Sequence, residues 1–470
     1  MARRKKKPIF EHIEVIDAGA KGKSIAKAPD GKVIFLKNAI PGDVVDIQTT
    51  KKRKAYYEGT ATNFHTKSEK RTDPVCQHFG VCGGCKWQSM AYPYQLQYKQ
   101  QEVINNLTRI GKIELPDVFP IIGSSDTYFY RNKMEFSFSD SRWLTIEEIE
   151  NNQNIRDRNA LGFHIPGMWD KILDIETCYL QEDPSNEIRN KIKTFAKQHH
   201  LPFFNTRNQS GFLRTLMIRI TSIGEIMVLI QFFHDDPEKR ELLLDYIHSE
   251  FPQITSLQYV INTKGNDTIY DQEVICYHGK KYIEEEMEGL RFKINAKSFY
   301  QTNSKQAYEL YKITRDFAQL DGTELVYDLY TGTGTIAQFI AKKARKVIGI
   351  ESVPEAIKDA KANAENNNLD NVEFFVGDMK KAFTSEFITE HGTPDVVITD
   401  PPRDGMHKDV VAQLLQIKPK KIVYVSCNSA TQARDLALLK EVYKVIKVQP
   451  VDMFPQTHHV ENVVLLEKNK

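Results

Sequence analysis

The segment Asp328-Leu-Tyr-Thr-Gly-Thr-Gly-Thr335 closes an apolar run and opens a helical pattern. Gly332 and Gly334 permit the tight turn and close backbone approach that a nucleotide-like ligand requires. Outward from this turn, strand patterns at 324–329, 346–351, 372–376, 395–399, 421–426, 443–448 and 462–467 are separated mostly by helical stretches. Such alternation predicts a Rossmann-like, doubly wound α/β domain with ligands at the carboxyl ends of its strands.

Upstream the pattern changes. Residues 8–65 read as short strands broken by Gly19, Gly22 and Pro41-Gly42-Asp43, which predicts a small β-barrel. Residues 74–90 form a Cys- and Gly-rich knot, and residues 92–110 read as a helix carrying Tyr94, Tyr98, Ile104 and Leu107. Over 130–138 the alternation is strict. Tyr130, Asn132, Met134, Phe136 and Phe138 share one face, and Arg131, Lys133, Glu135 and Ser137 the other. Further strand patterns at 213–220, 226–233 and 256–262 make the middle of the chain mainly antiparallel β. A chain of 470 residues has room for about three domains. The expected boundaries are 1–70, 71–295 and 296–470, with helix 92–111 a candidate to pack on the third.

The formal net charge of +2 conceals an asymmetry. Residues 1–70 hold 16 Lys and Arg against 8 Asp and Glu, whereas the other 400 residues hold 48 against 54. A basic module on a mildly acidic body fits a polyanionic partner, because phosphate contacts gain from such a field. For Arg3 to Lys7 alone, a solubilising tail is an equal reading. No apolar run approaches the roughly 20 residues of a membrane span. The basic start meets Glu11, Glu14 and Asp17 without the apolar stretch of a secretory signal. Six cysteines in this length make no disulfide framework, so a reducing, cytoplasmic setting and a possible metal site are expected.

Gly332, Gly334 and Ala337 satisfy G-x-G-x-x-A, so a dinucleotide site has to be weighed. Glu351, closing the second strand, can accept both ribose hydroxyls of either ligand. Asp328, before the first glycine, and Asp378, after the third strand, suit S-adenosylmethionine better than NAD. Asp400-Pro-Pro-Arg403 ends the fourth strand, where two prolines fix an extended backbone and hold the Asp400 carboxylate at the tip.

Cys427, in Val425-Ser-Cys-Asn428, ends the fifth strand and faces the same cleft. Glu461 enters that cleft if the last strand lies beside the fifth. Thiolate, carboxylate and methyl donor together suit one reaction. Carbon 5 of uracil is a poor nucleophile, but a thiolate adding to carbon 6 makes an enolate whose carbon 5 can attack a sulfonium methyl group. A base must then remove the carbon 5 proton so that the thiol leaves. Cys427 and Glu461 fit these roles, with His458 and His459 as other candidates for the base.

Taken together, Cys427 in S-C-N, Asp400 in D-P-P-R, Gln301 in S-F-Y-Q-T-N, Asp328 in D-L-Y-T-G-T-G and Glu461 in H-x-E-N-V resemble the RNA uracil-C5-methyltransferase family. The barrel looks like its TRAM domain, an OB-like RNA-binding module, and residues 130–136 are similar to its central-domain signature. The resemblance covers nearly the whole chain. It implies Cys427 as nucleophile, Glu461 as proton acceptor, and Gln301, Tyr330, Glu351 and Asp400 as contacts to S-adenosylmethionine. Thr335, Asp378 and Asp328 are further donor-site candidates, and Arg131 and Lys133 are candidates for RNA contact. The chain departs from the family pattern at Ser429, where proline is usual, and at Asp404 and Met406.

Cys76-x5-Cys82-x2-Cys85 offers three thiolates in a Gly-rich loop. Cys178 is the candidate for the fourth, because Cys276 lies far along the chain and Cys427 is otherwise employed. Zinc and iron–sulfur both accept four thiolates, and the spacing leaves both open. The resemblance extends to large-subunit rRNA members that carry a [4Fe-4S] cluster on this pattern. It therefore implies that cluster, with 23S rRNA as substrate and tRNA next. The radical motif C-x3-C-x2-C is absent, so the cluster is expected to be structural or RNA-shaping. The expected protein is a monomeric three-module enzyme that flips a uridine out of folded RNA. An NAD-dependent oxidoreductase and a non-catalytic RNA-binding protein are the competing readings. Neither explains Cys427, Asp400 and Glu461 on adjacent strand ends.

Overall fold

The computed structural model describes residues 7–151 and 156–469, and Arg3 to Lys6 of the basic start lie outside them. Strands β1 (Ile9–Ala18), β2 (Ser24–Lys27), β3 (Val33–Lys37), β4 (Val44–Lys52) and β5 (Tyr56–Thr66) close a barrel in the order β1-β2-β3-β5-β4. Alternation turns Ile34, Leu36, Val45, Ile47 and Tyr57 into its core. The buried Asp43 carboxylate accepts the Ile40 and Ser68 amides and the Arg71 guanidinium, the last at 2.7 Å, which ties the barrel to the next segment.

Helix Tyr92–Arg109 opens with a proline in its first turn, where a missing N–H costs nothing. Its buried face carries Gln95, Tyr98, Lys99, Val103 and Leu107. This face docks on the carboxyl-terminal domain. Asn106 Nδ2 donates to Ser429 Oγ at 2.8 Å, and Lys99 forms a fully buried ion pair with Asp452 at 2.6 Å. The Tyr92 hydroxyl donates to the other Asp452 oxygen at 2.8 Å.

The middle of the chain forms a seven-stranded sheet from β6 (Lys133–Ser139), β7 (Ala160–Ile165), β8 (Met168–Asp174), β9 (Leu213–Ile220), β10 (Ile226–Phe232), β11 (Ser256–Ile261) and β12 (Ile275–Gly279). The order is β12-β11-β10-β9-β6-β7-β8, antiparallel except between β10 and β11. Tyr130, Met134, Phe136 and Phe138 are buried together. The strand itself starts only at Lys133. Asn132 is drawn away to residues 301–304, its amide donating to the Thr302 carbonyl at 2.8 Å and its Nδ2 to the Gln301 carbonyl at 2.9 Å.

The hairpin β13 (Ile283–Met287) and β14 (Leu290–Ile294), placed by sequence in the middle domain, packs on both that domain and the next, its core shared with Met227 and Leu229 and the Ser222 amide donating to Glu285 at 3.0 Å. Ile283, Phe292 and Ile294 share a core with Ile336 and Phe374, and the Lys293 amide donates to Asn363 at 2.8 Å.

The last domain contains β15 (Leu325–Leu329), β16 (Lys346–Glu351), β17 (Val372–Val376), β18 (Val396–Thr399), β19 (Lys421–Ser426), β20 (Tyr443–Val451) and β21 (Glu461–Lys468). Their order is β17-β16-β15-β18-β19-β21-β20, with β21 antiparallel to both neighbours. Val326, Ile398 and Val423 fill one face and Tyr327, Val397 and Tyr424 the other, which is why these strands read as continuous apolar runs. Strand order reverses between β15 and β18, and in such sheets ligands bind outside the strand carboxyl ends at this switch point. Residues 118–122 run beside β20 through bridges at Val118–Val448 and Ile122–Val451, covering that edge. Among the described residues no helix is long and apolar enough to cross a membrane.

Candidate active site

The glycine turn after β15 passes through left-handed backbone at Tyr330, Gly332 and Gly334, with φ of 63, 56 and 74°. A Cβ on Gly334 would stand 2.7 Å from Phe374, so only glycine lets the turn settle on that ring. A Cβ on Gly332 would meet nothing within 4 Å, so this side of the turn is open. Glu351 holds the turn in place. One of its carboxylate oxygens accepts the Gly332 amide at 3.2 Å, and the other accepts the Ser352 and Val353 amides at 2.7 and 3.0 Å. Asp328 is buried, with one oxygen accepting the Thr331 hydroxyl at 2.5 Å and the other without a partner. Burial pushes its carboxyl up to about 7.

Tyr330 is half-buried, and burial pushes its phenol up to about 12. Segment 299–303 leans on the same turn, since the Thr333 hydroxyl donates to the Phe299 carbonyl at 3.3 Å. Gln301 is half-buried on that segment. Thr335 starts helix Thr335–Ala341, and its hydroxyl lies 3.2 Å from the Tyr311 phenol. Asp378 is exposed and caps helix Met379–Ala382, accepting the Lys380 amide at 3.1 Å. The orphaned oxygen of Asp328, the open flank of Gly332 and the fixed Glu351 carboxylate fit a ligand that brings positive charge and ribose hydroxyls.

Cys427 and Glu461 meet through sheet register. Ser426 pairs with Asn462 in the β19–β21 ladder, so the next residue of each strand, Cys427 and Glu461, leaves the ladder beside the other. Glu461 is buried, and burial together with the Asp400 charge pushes its carboxyl up to about 8. Burial, then Glu461 and Asp400, push the half-buried Cys427 thiol up to about 12. Asp400 itself is raised to about 7 by burial and by Asp328. The Arg403 charge opposes the rise at both Cys427 and Glu461.

Asn428 caps helix Ser429–Leu439 and donates from Nδ2 to the Arg403 carbonyl at 2.9 Å, joining the cysteine loop to the Asp-Pro-Pro-Arg loop. His458 and His459 are half-buried and neutral. Burial and neighbouring positive groups push them down to about 4 and about 3. The departures from the family pattern are accommodated locally. The Ser429 hydroxyl accepts from Asn106, a contact a proline cannot make, Met406 is buried, and the Asp404 carbonyl accepts from Arg434.

Cys76, Cys82, Cys85 and Cys178 line one cavity of about 320 Å³, together with Arg131, Lys133 and Phe163. Burial raises all four thiols, Cys82 to about 11 and Cys85 to about 12. Among the described residues, no three of these sulfurs lie within 4.8 Å of one another. That is wider than the ~3.8 Å edge of a tetrahedral zinc site with Zn–S of ~2.3 Å. The Arg131 guanidinium lies 5.3 Å over the Phe454 ring with its Nε buried and unpartnered, and Lys133 pairs with Glu135 at 2.7 Å.

A family model described as tRNA (Uracil-5-)-methyltransferase matches residues 249–469, and one described as TRAM domain matches residues 12–62. An RNA methyltransferase of Bacteroides thetaiotaomicron is 59% identical over 451 residues, covering 95% of this chain and 99% of its own. The chain belongs to the RNA uracil-5-methyltransferase family. A second member, an RNA methyltransferase of Chlorobaculum tepidum, is 38% identical over 97% of this chain and 96% of its own. The solved Pyrococcus abyssi tRNA (uracil-54, C5)-methyltransferase in complex with S-adenosyl-L-homocysteine superposes with a TM-score of 0.74 at 28% identity. It covers 97% of this chain and 100% of that one. The barrel is thus the TRAM domain, and this methyltransferase is S-adenosylmethionine-dependent, which sets aside the NAD reading.

Sequence reasoning missed three contributors. Tyr311 is buried, and burial, then the charges of Asp400, Asp328 and Glu461, raise its phenol. Lys99 and Asp452 lock a helix of one module to the loop before Glu461. Asn132 braces the segment that carries Gln301. Only Asn132 left a signal, as a polar residue on an otherwise apolar strand face.

Proposed function

We propose that this methyltransferase modifies carbon 5 of a uridine in 23S rRNA through a covalent bond between Cys427 and carbon 6 of the uracil. The observation that carries the reading is the register that sets Cys427 beside Glu461 at the cleft. Cys427 adds to carbon 6, and the electron pair moves to carbon 5 and the carbonyl oxygen. The donor, held by Asp328, Glu351, Gln301, Tyr330 and Asp400, supplies an electrophilic methyl group on a cationic sulfonium. Glu461 then takes the carbon 5 proton, the carbon 5–carbon 6 double bond re-forms, and the Cys427 thiolate leaves. The raised carboxyl of Glu461 is a stronger base than an ordinary glutamate. The thiol of Cys427 is unreactive while protonated, and Arg403 is the cation that favours its ionisation. The four thiols around the 320 Å³ cavity are read as ligands of a four-iron cluster, whose cysteines sit on separate irons and so stand farther apart than around one zinc.

A second reading, tRNA as substrate, is favoured by the likeness to the Pyrococcus tRNA enzyme over the whole chain. Mapping 5-methyluridine in 23S rRNA and tRNA of a deletion strain separates the two. Loss of the base from 23S rRNA alone supports the first, loss from tRNA alone replaces it with the second, and loss from neither overturns both.

A further inference from the structure

The strand ladder of the TRAM barrel is broken on both sides of Asp46. On one side, Phe10 pairs with Ile47 and Ile13 with Val45, so Glu11 and His12 of β1 stand opposite the single residue Asp46. On the other, Val44 pairs with Thr66 and Val45 with Phe64, so the ladder passes over His65 of β5. Both histidines are therefore bulge residues, and a bulge re-aims a side chain at the expense of ladder pairing. His12 also adopts left-handed backbone, at φ of 53°. A residue other than glycine holds that conformation only where its surroundings over-determine it.

The two bulges bring both rings to one carboxylate. His65 Nε2 stands 2.6 Å from Asp46 Oδ1, and the His12 ring stacks on the His65 ring with centroids 3.7 Å apart at 19°. The His12 amide donates to the same oxygen at 3.0 Å, and Asn63 Nδ2 donates to the other at 3.2 Å, so the carboxylate is held in place by its own barrel. One ligand atom from each of the three side chains lies within 4.8 Å of the other two, and no other trio of His, Cys, Asp or Glu among the described residues converges this far. Both histidines are exposed and Asp46 is half-buried, so the cluster is open to solvent and its rings are free to turn. A tetrahedral zinc with ligands at ~2.0–2.1 Å has edges of ~3.3 Å, which lies between the 2.6 Å contact and the 4.8 Å limit. Ring rotation reaches that edge with the strands left in place.

We infer that His12, Asp46 and His65 form a zinc site that staples β1 to β5 across β4, with water as the fourth ligand. Two imidazoles and one carboxylate suit zinc, whereas magnesium and calcium take shells of oxygen alone. Zinc binds the neutral imidazole, so the hydrogen bond between His65 and Asp46 gives way to two metal bonds. The ion ties three strands together at the level where their own ladder is interrupted on both sides. The site shares no residue with the methyl-donor turn, the Cys427–Glu461 pair or the cysteine cavity. It therefore stands apart from the reaction proposed above and from the choice between rRNA and tRNA.

The test is calorimetric titration of zinc alone into the anaerobically purified full-length chain, with Cys178→Ser run in parallel to identify binding by the cysteines. One zinc-binding event should survive Cys178→Ser. In His12→Asn and in His65→Gln that event should weaken at least about tenfold, a loss that removing even a supporting residue of a metal site produces. Asparagine tolerates left-handed backbone, so His12→Asn keeps the bulge while removing the ligand. Cobalt in place of zinc should give visible ligand-field bands in the wild type that both histidine variants lose. Those bands should come without the near-ultraviolet sulfur-to-metal band of thiolate ligation. Zinc should also slow amide exchange in β1, β4 and β5 of the wild type and of neither histidine variant. Equal zinc affinity in the wild type and both histidine variants would overturn the site. Binding only at millimolar zinc would overturn it too, in favour of an adventitious ion only.

Discussion

Replacing Glu461 by glutamine keeps the shape and hydrogen-bonding capacity of the side chain and removes its charge. Burial, with Asp400 close by, raises the carboxyl from 4.5 to about 8, so about a tenth is ionised at pH 7 and about half at pH 8. If the ionised form takes the carbon 5 proton, breakdown of the Cys427–uracil adduct accelerates about fivefold across that interval. The step is isolated by forming the adduct at pH 6 with methyl-labelled donor and raising the pH. The labelled protein–RNA band is then followed on a denaturing gel. In Glu461→Gln the band should persist, the elimination rate should fall by roughly a hundredfold to ten-thousandfold, and the pH dependence should vanish. The same carboxyl leaves a mark on stability. Its folded pKa is raised, so the folded state binds the proton more tightly than the unfolded chain. The contribution is fully present below pH 4.5 and is lost as the pH rises through about 8. At ~1.4 kcal/mol per unit the loss approaches about 5 kcal/mol, and Glu461→Gln escapes it. The variant should match the wild type in urea at pH 4 and outlast it at pH 9. Multiple turnover by Glu461→Gln with no persistent band and an unaltered pH profile would refute the assignment, and His458 and His459 would be tested next.

Lys99→Met strands the buried Asp452 carboxylate, so urea unfolding should show a loss of about 3–5 kcal/mol, and a loss under about 1 kcal/mol would contradict the reading of that ion pair. Gly334→Ala must displace Phe374 whereas Gly332→Ala meets open space. The first should therefore be the less stable by about 1–3 kcal/mol, and equal melting of the two would show that packing at Phe374 is not what confines the turn. Anaerobically purified protein should contain about four irons per chain, and Cys178→Ser should lose iron and stability together. Stoichiometric zinc without iron would replace the cluster by a zinc site.

How much of this was legible in the sequence depends on how local each feature is. The seven strands of the catalytic domain stood out because both faces of that sheet are buried, as Val326 and Tyr327 on opposite faces illustrate, and such burial writes runs of apolar residues into the chain. The glycine turn and the prolines after Asp400 are likewise consequences of backbone conformation within a few residues. The hairpin Ile283–Ile294 meets both the middle sheet and the last domain, a double contact the sequence did not show because a short amphipathic hairpin does not say which core its apolar face will meet.

The sequence by itself thus determined the fold class and the inventory of chemical groups. Only the tertiary structure decided their company. Cys427 and Glu461 became neighbours because β21 inserts between β19 and β20 in one register, and a slip of one residue would turn the Glu461 side chain to the other face. The pairing of Lys99 with Asp452 spans 353 residues. The meeting of Gly22, Lys86 and His458 joins three modules. Such contacts are fixed by non-local packing and by the cost of leaving buried polar groups unpaired, and neither leaves a periodicity in the chain that a local pattern can carry.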